Sequence, residues 1–452
     1  MFEIKARGST VGREVLGGIT TFMALSYILF VQVGLLGSKG AGMPDGGVLM
    51  ALCISSAAAC VLMGVLANYP IALAPGMGEN FVFVAFAAAM GSWFAGYEGW
   101  QFALAITAIA GAIFLLLSFT GFRANVLSAI PDALKSGIAA GIGLLIARVG
   151  VDNSNLAAGM GAGALGGFYD NPAAWVALIG LAVTLALLAF RVRGAILLGI
   201  LVATGFALYL GETQWRFPFA VPGGVGATAG GFAHGLRGLG AALTGGHAVE
   251  LLVFVAILLM MDLFDTVGTL VGVASQAGLM RDGKLPKAQR ALAADAAGTV
   301  IGGCLGSSTV TSYVESVTGV QAGARTGLAA IVTGGLLLLA MFCGPLIAMV
   351  MGEFEVGGRD VFPTIAAALI IVGAMMLRAV RQLDWDDPTE YLPAFLTVIL
   401  MPLTFSIADG IAAGFIAYAF AKLVSGRPRQ CPALGYVFAV LFVLRYAIGA
   451  MG

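Results

Sequence analysis

Long apolar segments, separated by short polar or glycine-rich stretches, recur along the whole chain. About 20 consecutive apolar residues cross a bilayer as an α-helix. Continuous runs of about this length begin near residue 14 and continue almost to the end of the chain. They lie at 14–36, 47–67, 101–120, 133–149, 172–190, 195–211, 249–273, 288–305, 326–351, 361–380, 392–407 and 409–424. A last stretch at 434–450 either spans the membrane or lies along its surface.

Two further segments, 71–90 and 306–320, have the position of spans but are interrupted by glycine, proline and polar residues. Counting them gives 14 spans, and each is then the third span of a seven-span half. The two segments are seven spans apart in the chain. Because seven is an odd number, the two halves have opposite topology in the membrane. Paired interrupted segments in inverted halves mark the binding site of many secondary transporters, whereas ordinary glycine-rich packing helices are the alternative. The pattern predicts an all-α polytopic membrane protein with 14 transmembrane segments as 7+7 inverted repeats and two half-helices.

Composition agrees with a membrane protein. Of 452 residues, 60% are hydrophobic and 10% are charged, against about 25% charged in soluble domains. The mean hydropathy is +0.99. Basic and acidic residues balance at 23 each. The chain therefore lacks the excess of positive charge that would indicate a nucleic-acid partner. The lipid bilayer is the expected partner.

The basic residues predict the orientation, because cytoplasmic loops are enriched in Lys and Arg. The N-terminus has no cleavable signal pattern. We expect the protein to lie in the inner (plasma) membrane, with its N-terminus in the cytoplasm. The other side then receives a long glycine-rich loop over 212–248 and the acidic segment around Glu353, Glu355 and Asp360. The basic positions that fall on the cytoplasmic side are Lys5, Arg7, Arg13, Arg123, Arg191, Arg193, Arg281, Lys284, Lys287, Arg290, Arg325, Arg427 and Arg429.

No cofactor is expected. The five cysteines form no CxxC pattern, and His234 and His247 are the only histidines, so a zinc or haem site has few ligands. The sequence contains no nucleotide-binding P-loop. The energy for transport is therefore expected to come from an ion gradient, with H⁺ as the coupling ion and Na⁺ as the alternative.

Acidic residues occur within the apolar spans, where a charge is costly and usually functional. Asp262 and Asp265 are three residues apart and share one helix face. Glu315 lies in the second interrupted segment, and Glu79 lies beside Asn80 in the first. We interpret Asp295, in the span after Asp265, as a packing residue or a local pair with Arg290.

The interrupted segments are suited to a neutral heterocycle that carries both N–H and C=O groups. A helix that begins near Pro75–Gly78 leaves backbone N–H groups without intrahelical partners, and its glycines allow a flat ligand to approach closely. Ser307, Ser308, Thr309 and Thr311 supply polar groups in the second segment. Carboxylates accept N–H groups, and the same acids can take up a coupled proton when they are buried.

At these residues the sequence resembles the nucleobase–ascorbate transporter superfamily, also called nucleobase–cation symporter family 2. It is most similar to the purine permease branch for adenine, guanine and hypoxanthine. The resemblance extends over essentially the whole chain. Its motifs are Ala6–Met23, Pro75–Asn80, Leu263–Gly272, Ser308–Ser316, Gly323–Leu328 and Met401–Ala408.

The resemblance implies a homodimer that moves a core domain past a gate domain in an elevator-like manner. Spans 1–4 and 8–11 would form the core, and spans 5–7 and 12–14 the gate. The expected boundaries are 1–121 and 249–355 for the core, 122–248 with its long extracytoplasmic loop and 356–424 for the gate, and 425–452 for the C-terminal apolar segment.

The resemblance also implies the substrate-binding residues. The acid of the eighth span corresponds to Asp265, with Asp262 one turn earlier; the tenth-span acid corresponds to Glu315 and the third-span amide to Asn80. Motif neighbours and a first-span contact complete the expected set, which is Gly78, Glu79, Thr269, Ser316 and Thr21.

The sequence departs from the family pattern at two places. Glu79 replaces the usual apolar residue before the asparagine, and Phe30–Gly34 lacks the usual Asn-Pro at the end of the first span. The purine that is preferred therefore stays open, and uracil, xanthine, urate or a small amidine-like or anionic solute are alternative cargoes. A channel or an intramembrane enzyme is disfavoured, because carboxylates at paired half-helices suit alternating access and no nucleophile–base pair lies within the spans.

Overall fold

A computed structural model describes residues 2–91, 96–119, 131–156, 171–280, 285–352, 354–356 and 359–449. Helices dominate this part of the chain, and two short two-stranded sheets accompany them. The helices are α1 (Val11–Leu25), α2 (Ile28–Leu36), α3 (Asp45–Leu62), α4 (Met77–Met90), α5 (Gly99–Phe119), α6 (Asp132–Asn153), α7 (Pro172–Ala189), α8 (Ala195–Leu210), α9 (Val225–Thr244), α10 (Ala248–Gln276), α11 (Ala288–Leu305), α12 (Ser316–Gln321), α13 (Gly327–Ala340), α14 (Gly344–Met351), α15 (Pro363–Met376), α16 (Pro388–Thr404), α17 (Ile407–Val424) and α18 (Ala433–Gly449). The strands are β1 (Leu73–Pro75), β2 (Val310–Ser312), β3 (Phe354–Val356) and β4 (Arg359–Val361).

Helices coincide with the apolar runs that the sequence shows, so the predicted helical membrane protein is confirmed at this level. Seven helical segments of the described residues are long and apolar enough to cross a membrane. They are Val11–Leu36, Asp45–Ala67, Gly99–Ser118, Asp132–Asn153, Pro172–Ala189, Gly327–Met351 and Pro363–Gln382. The chain is therefore a multi-pass membrane protein.

The chain divides into two compact units. Unit 1 comprises Met1–Thr120 and Asp152–Ala368, and unit 2 comprises Gly121–Val151 and Leu369–Gly452. This division follows compactness alone, and the core and gate domains remain predictions. The predicted boundary at 121/122 and the predicted positions Arg123, Arg281, Lys284 and Glu353 lie outside the described residues.

Unit 1 is built around α11, which packs against both α3 and α5. The antiparallel pair β1–β2 contacts α3, α10 and α11, so its short extended segments lie among helices. A separate apolar cluster joins α7 and α8 to the β3–β4 hairpin, with Val176, Ala203 and Phe354 among its buried members. Helices thus enclose the interrupted segments on several sides.

In unit 2, α16 and α17 pack as neighbours, and a buried lysine links their ends. The Lys422 ammonium is fully buried, 2.6 Å from Glu390 Oε1 and 2.6 Å from Thr389 Oγ1. Tyr418 donates a hydrogen bond of 3.0 Å to the same Glu390 oxygen. A buried charge needs such partners, and this cluster supplies them within unit 2.

The expectation of a long loop over 212–248 is wrong for residues 225–244, which form α9. One face of α9 carries Gly231, Gly235 and Gly238, at helical spacing, against Trp100, Gln101 and Phe102 of α5. A stripe of small residues lets two helices approach closely. The sequence looked like a loop because glycine disfavours an isolated helix, whereas the contact with α5 stabilises this one.

Candidate functional site

The two interrupted segments have the same local structure, an extended stretch followed by a helix. Residues 73–75 precede α4, and residues 310–312 precede the short helix α12. The extended stretches pair antiparallel, with Ala74 opposite Thr311. Two flanking backbone bonds extend the pairing, from Gly76 N to Thr309 O at 3.0 Å and from Tyr313 N to Ala72 O at 3.0 Å. The starts of both helices therefore meet at one place.

Residue types explain why the helices break here. Pro75 has no N–H group to donate, and Gly76 is the extended N-cap of α4, with φ −68° and ψ 130°. Before the second segment, Gly306 ends α11 with φ +119°, a conformation that glycine adopts without strain. The first-turn N–H groups of α4, including that of Gly78, face the end of the helix without intrahelical partners.

Two acids of the predicted site are half-buried and accessible, namely Asp265 on α10 and Glu315 at the N-cap of α12. Their carboxyl groups are close enough to interact electrostatically, and the Thr311 hydroxyl lies near Asp265. Tyr27 donates a 2.8 Å hydrogen bond to Glu315 Oε1. A polar molecule can therefore meet both carboxyl groups at once.

Two further acids lie behind this pair. Asp262 is 2% exposed, and its Oδ2 accepts a 3.4 Å hydrogen bond from Thr299 of α11. Asp295 is fully buried, and its Oδ2 accepts a 2.8 Å hydrogen bond from Thr266 of α10. Asp295 thus belongs to the polar interior beside the site, a role that the sequence interpretation did not give it.

Asn80 and Glu79 are also buried. Ser308 donates a hydrogen bond to Asn80 Oδ1, which joins α4 to the second interrupted segment. The carboxyl group of Glu79, 1% exposed, folds back over Gly76, and among the described residues no group hydrogen-bonds its Oε2. Its electrostatic neighbours are Asp265 and Asp262, so Glu79 adds a carboxyl group to the acidic centre without facing the accessible side.

The remaining predicted residues surround this centre. Thr269 is half-buried one turn after Asp265. Ser316 is buried, and its hydroxyl accepts a 3.0 Å hydrogen bond from Ala72 N. Thr21 is buried on α1, where its hydroxyl packs against Gly319 of α12. Thr21 and Ser316 thus hold α12 in place from two sides.

Sequence reasoning missed the neutral hydroxyl partners of the acids. Tyr27 lies between α1 and α2, in a mostly apolar run, and bonds to an acid 288 residues later. Tyr313 donates a hydrogen bond to Pro75 O across the two interrupted segments. The available signal was a tyrosine at the middle of an apolar span and another inside an interrupted segment.

Comparison with known proteins gives the family. The sequence model Xan_ur_permease, which describes the permease family, matches residues 12–413. The guanine/hypoxanthine permease PbuG of Bacillus subtilis is 40% identical, covering 98% of this chain and 98% of PbuG. The adenine permease AdeQ of Escherichia coli is 35% identical, covering 98% of this chain and 95% of AdeQ.

Among solved structures, the transmembrane domain of the cyanobacterial bicarbonate transporter BicA has a TM-score of 0.61 at 15% identity, covering 89% of this chain and 97% of that domain. The transporter SLC26A9 has a TM-score of 0.59 at 14% identity, covering 91% of this chain and 65% of that protein. At such identities the likeness concerns the fold alone. The resemblance stated from the motifs is confirmed by the sequence relatives: the chain belongs to the permease family, and it is a permease and not an enzyme.

Proposed function

We propose that this permease is a secondary active symporter that imports purine nucleobases such as guanine, hypoxanthine or adenine. The observation that carries the proposal is the accessible pair Asp265 and Glu315, which lies where the two interrupted segments meet. Carboxylates accept N–H groups of a purine, and the first-turn N–H groups of α4 can donate to its C=O or ring nitrogen atoms. The names of PbuG and AdeQ point to the same class of cargo.

The transport cycle that fits this site is alternating access by an elevator-like movement. The pairing of β1 with β2 joins the two interrupted segments within unit 1, which supports their movement as one body. We assign the chain 14 transmembrane segments in two inverted repeats of seven, core and gate domains as the resemblance implies, and a homodimeric assembly. Its place would be the inner membrane with a cytoplasmic N-terminus.

Protons are the proposed coupling ions. Five carboxyl groups gather around the paired segments, those of Glu79, Asp262, Asp265, Asp295 and Glu315. Asp265 has Glu315 and Glu79 as electrostatic neighbours, Asp262 interacts with Glu79, and Asp295 accepts a hydrogen bond from Thr266, the residue after Asp265. Like charges that share a buried site cannot all be ionised, so such a group holds protons readily. Sodium remains the alternative coupling ion.

The test is binding of a nucleobase panel to detergent-purified protein, measured as a shift in thermal unfolding. The panel contains guanine, hypoxanthine, adenine, xanthine, uric acid and uracil. We expect a purine-selective shift that is lost in Glu315→Gln and in Asp265→Asn, because each substitution removes a carboxylate that accepts purine N–H groups. Glu250→Gln, an exposed position in the first turn of α10, is the control and should keep the shift.

Normal purine shifts in both site variants would refute the site. A shift with uracil or uric acid alone would replace the purine assignment by another cargo, and no shift with any member would overturn the nucleobase assignment.

A further inference from the structure

The connection between α8 and α9 carries large apolar side chains at every second position. Trp215, Phe217, Phe219 and Val221 are 70%, 72%, 59% and 91% exposed. The rings of Phe217 and Phe219 meet edge to face, with their centroids 6.1 Å apart. A soluble protein rarely leaves a contiguous apolar surface of this kind to water, so this face needs a partner.

The residues between them face a polar cavity. Gln214 and Arg216 line an open cavity of about 820 Å³ in unit 1. Its lining includes the polar residues Ser38, Lys39, Asp45 and Glu212. Apolar and polar positions that alternate in this way are typical of an extended segment, in which successive side chains point to opposite faces. We call residues 212–221 the strap, with an apolar outer face and a polar inner face.

Hydrogen bonds fasten the strap to the membrane-crossing segment Gly327–Met351. Thr213 Oγ1 donates a 3.0 Å hydrogen bond to the backbone oxygen of Met349, and Ala220 N donates a 2.9 Å hydrogen bond to the backbone oxygen of Phe342. The strap therefore lies alongside the second half of this segment.

Two helices place the strap at the membrane surface. The segment Asp45–Ala67 is long enough to cross a bilayer, so its first turn lies at one surface, and there a Cβ atom at Gly46 would overlap the backbone oxygen of Gly223, just after the strap. Helix α8, just before the strap, has 16 residues. It extends about 24 Å at 1.5 Å per residue, less than the hydrocarbon thickness of about 30 Å. The strap thus begins where the hydrocarbon region ends.

The outer face of the strap continues the apolar surface of a membrane-crossing segment. Leu338, Leu339 and Phe342 are 42%, 62% and 38% exposed and belong to the segment Gly327–Met351. Phe342 is also the residue whose backbone oxygen binds the strap. The same lipid that covers this segment can therefore cover the strap.

The backbone of the strap indicates the depth at which it lies. Residues 212–221 belong to no helix or strand, and irregular backbone exposed to lipid does not occur within the hydrocarbon region. At the boundary with the headgroups, water is available to the backbone, and tryptophan and other amphipathic groups are enriched there. A position at this boundary satisfies both the backbone and the aromatic rings.

We propose that the strap is an amphipathic wall at the membrane surface. Its apolar face inserts between the headgroups and the upper acyl chains of the phospholipid leaflet at the end of unit 1 where α3 begins. Its polar face borders the aqueous cavity, so the strap separates this cavity from the lipid. The inference concerns lipid contact and does not rest on the proposed cargo.

The alternation along the strap gives a test with its own control. Single cysteines replace Phe217, Val221, Gln214 or Arg216 after the five native cysteines have been removed, and each carries a nitroxide spin label. The protein is reconstituted into vesicles of phosphatidylethanolamine and phosphatidylglycerol. Oxygen concentrates in the bilayer, whereas the nickel chelate Ni-EDDA stays in water. We expect the ratio of oxygen to Ni-EDDA collisions to be severalfold higher in Phe217→Cys and Val221→Cys than in Gln214→Cys and Arg216→Cys.

The other outcomes overturn the proposal in distinct ways. Frequent Ni-EDDA collisions at positions 217 and 221 would show that water covers the apolar face. Few collisions with either reagent, together with spin–spin broadening, would show that a second copy of the chain covers it. Equal collision ratios at all four positions would show that the strap does not separate lipid from the cavity.

A second measurement keeps the native cysteines. In vesicles whose phospholipids carry bromine atoms on the upper part of the acyl chain, bromine quenches tryptophan fluorescence on contact. Trp215→Phe should lower the quenched fraction of the total fluorescence. Trp100→Phe is the control and should not lower it, because Trp100 is 6% exposed and packs against Gly231 of α9. An unchanged quenched fraction in Trp215→Phe would overturn the contact with lipid, whether or not the protein binds nucleobases.

Discussion

At the scale of single residues, the site depends on how neutral hydroxyl groups hold its acids. Tyr27 donates to Glu315 at 2.8 Å, from a buried position between two helices. A hydrogen bond to a charged group contributes about 1.5–3 kcal/mol, so this tyrosine fixes the direction of the Glu315 carboxyl group, which we propose faces the substrate.

We therefore expect Tyr27→Phe to weaken purine binding by about tenfold or more, since about 1.4 kcal/mol corresponds to a tenfold change in affinity. Equilibrium binding of radiolabelled hypoxanthine to purified protein measures the change. Tyr418→Phe is the control, because Tyr418 makes the same kind of bond to Glu390 within unit 2. Equal affinities in Tyr27→Phe and the wild type would show that Tyr27 does not orient Glu315 for binding.

The acids could be predicted from the sequence, whereas their partners could not. Asp265 and Glu315 stand out because a charge in an apolar span is costly. Threonine and tyrosine are common residue types in membrane proteins. Thr266, Thr311 and Tyr27 therefore become informative only through contacts between distant segments. Asp295 carried the acidic signal, but its contact with Thr266, 29 residues away in sequence, depends on how α10 and α11 lie against each other.

At the scale of elements, glycine spacing decides which helices approach closely. A Cβ atom at Gly235 of α9 would overlap the backbone oxygen of Gln101, whereas a Cβ atom at Gly240 of the same helix meets no atom within 4 Å. The apolar runs predicted most helices, because a run of about 20 apolar residues has the length of a membrane-spanning helix. Helix α9 was not predicted, because its stability comes from packing against α5, which its own sequence does not show.

We expect Gly235→Ala to lower the stability of the protein by about 1–3 kcal/mol, the usual range for overpacking. Gly240→Ala should be neutral or stabilising by up to about 1 kcal/mol, because alanine favours a helix over glycine. Thermal unfolding of the two purified variants in the same detergent checks this difference. Equal midpoints for both variants would contradict the close contact between α9 and α5.

At the scale of the whole molecule, hydrogen bonds of Arg7 mark one end of unit 1. There, Arg7 donates to the backbone oxygens of Asn68 and Arg325, at 2.8 and 3.1 Å. The segment Asp45–Ala67 leads from Asn68 to the other end, and its 23 residues extend about 34 Å at 1.5 Å per residue. That length suits a bilayer, so Lys5, near Arg7, and Lys39, before this helix, should lie on opposite sides of the membrane.

The basic residues then decide which side each end occupies. Lys5, Arg7, Arg13 and Arg325 gather at the first end, and cytoplasmic loops carry the excess of basic residues. Lys5 and Lys39 are both exposed, so each can be replaced by a single cysteine after the five native cysteines have been removed. In intact spheroplasts, a membrane-impermeant maleimide should label Lys39→Cys, whereas Lys5→Cys should react only after permeabilisation. The reverse pattern would invert the orientation, and labelling of both from outside would mean that the segment Val11–Leu36 does not cross the membrane.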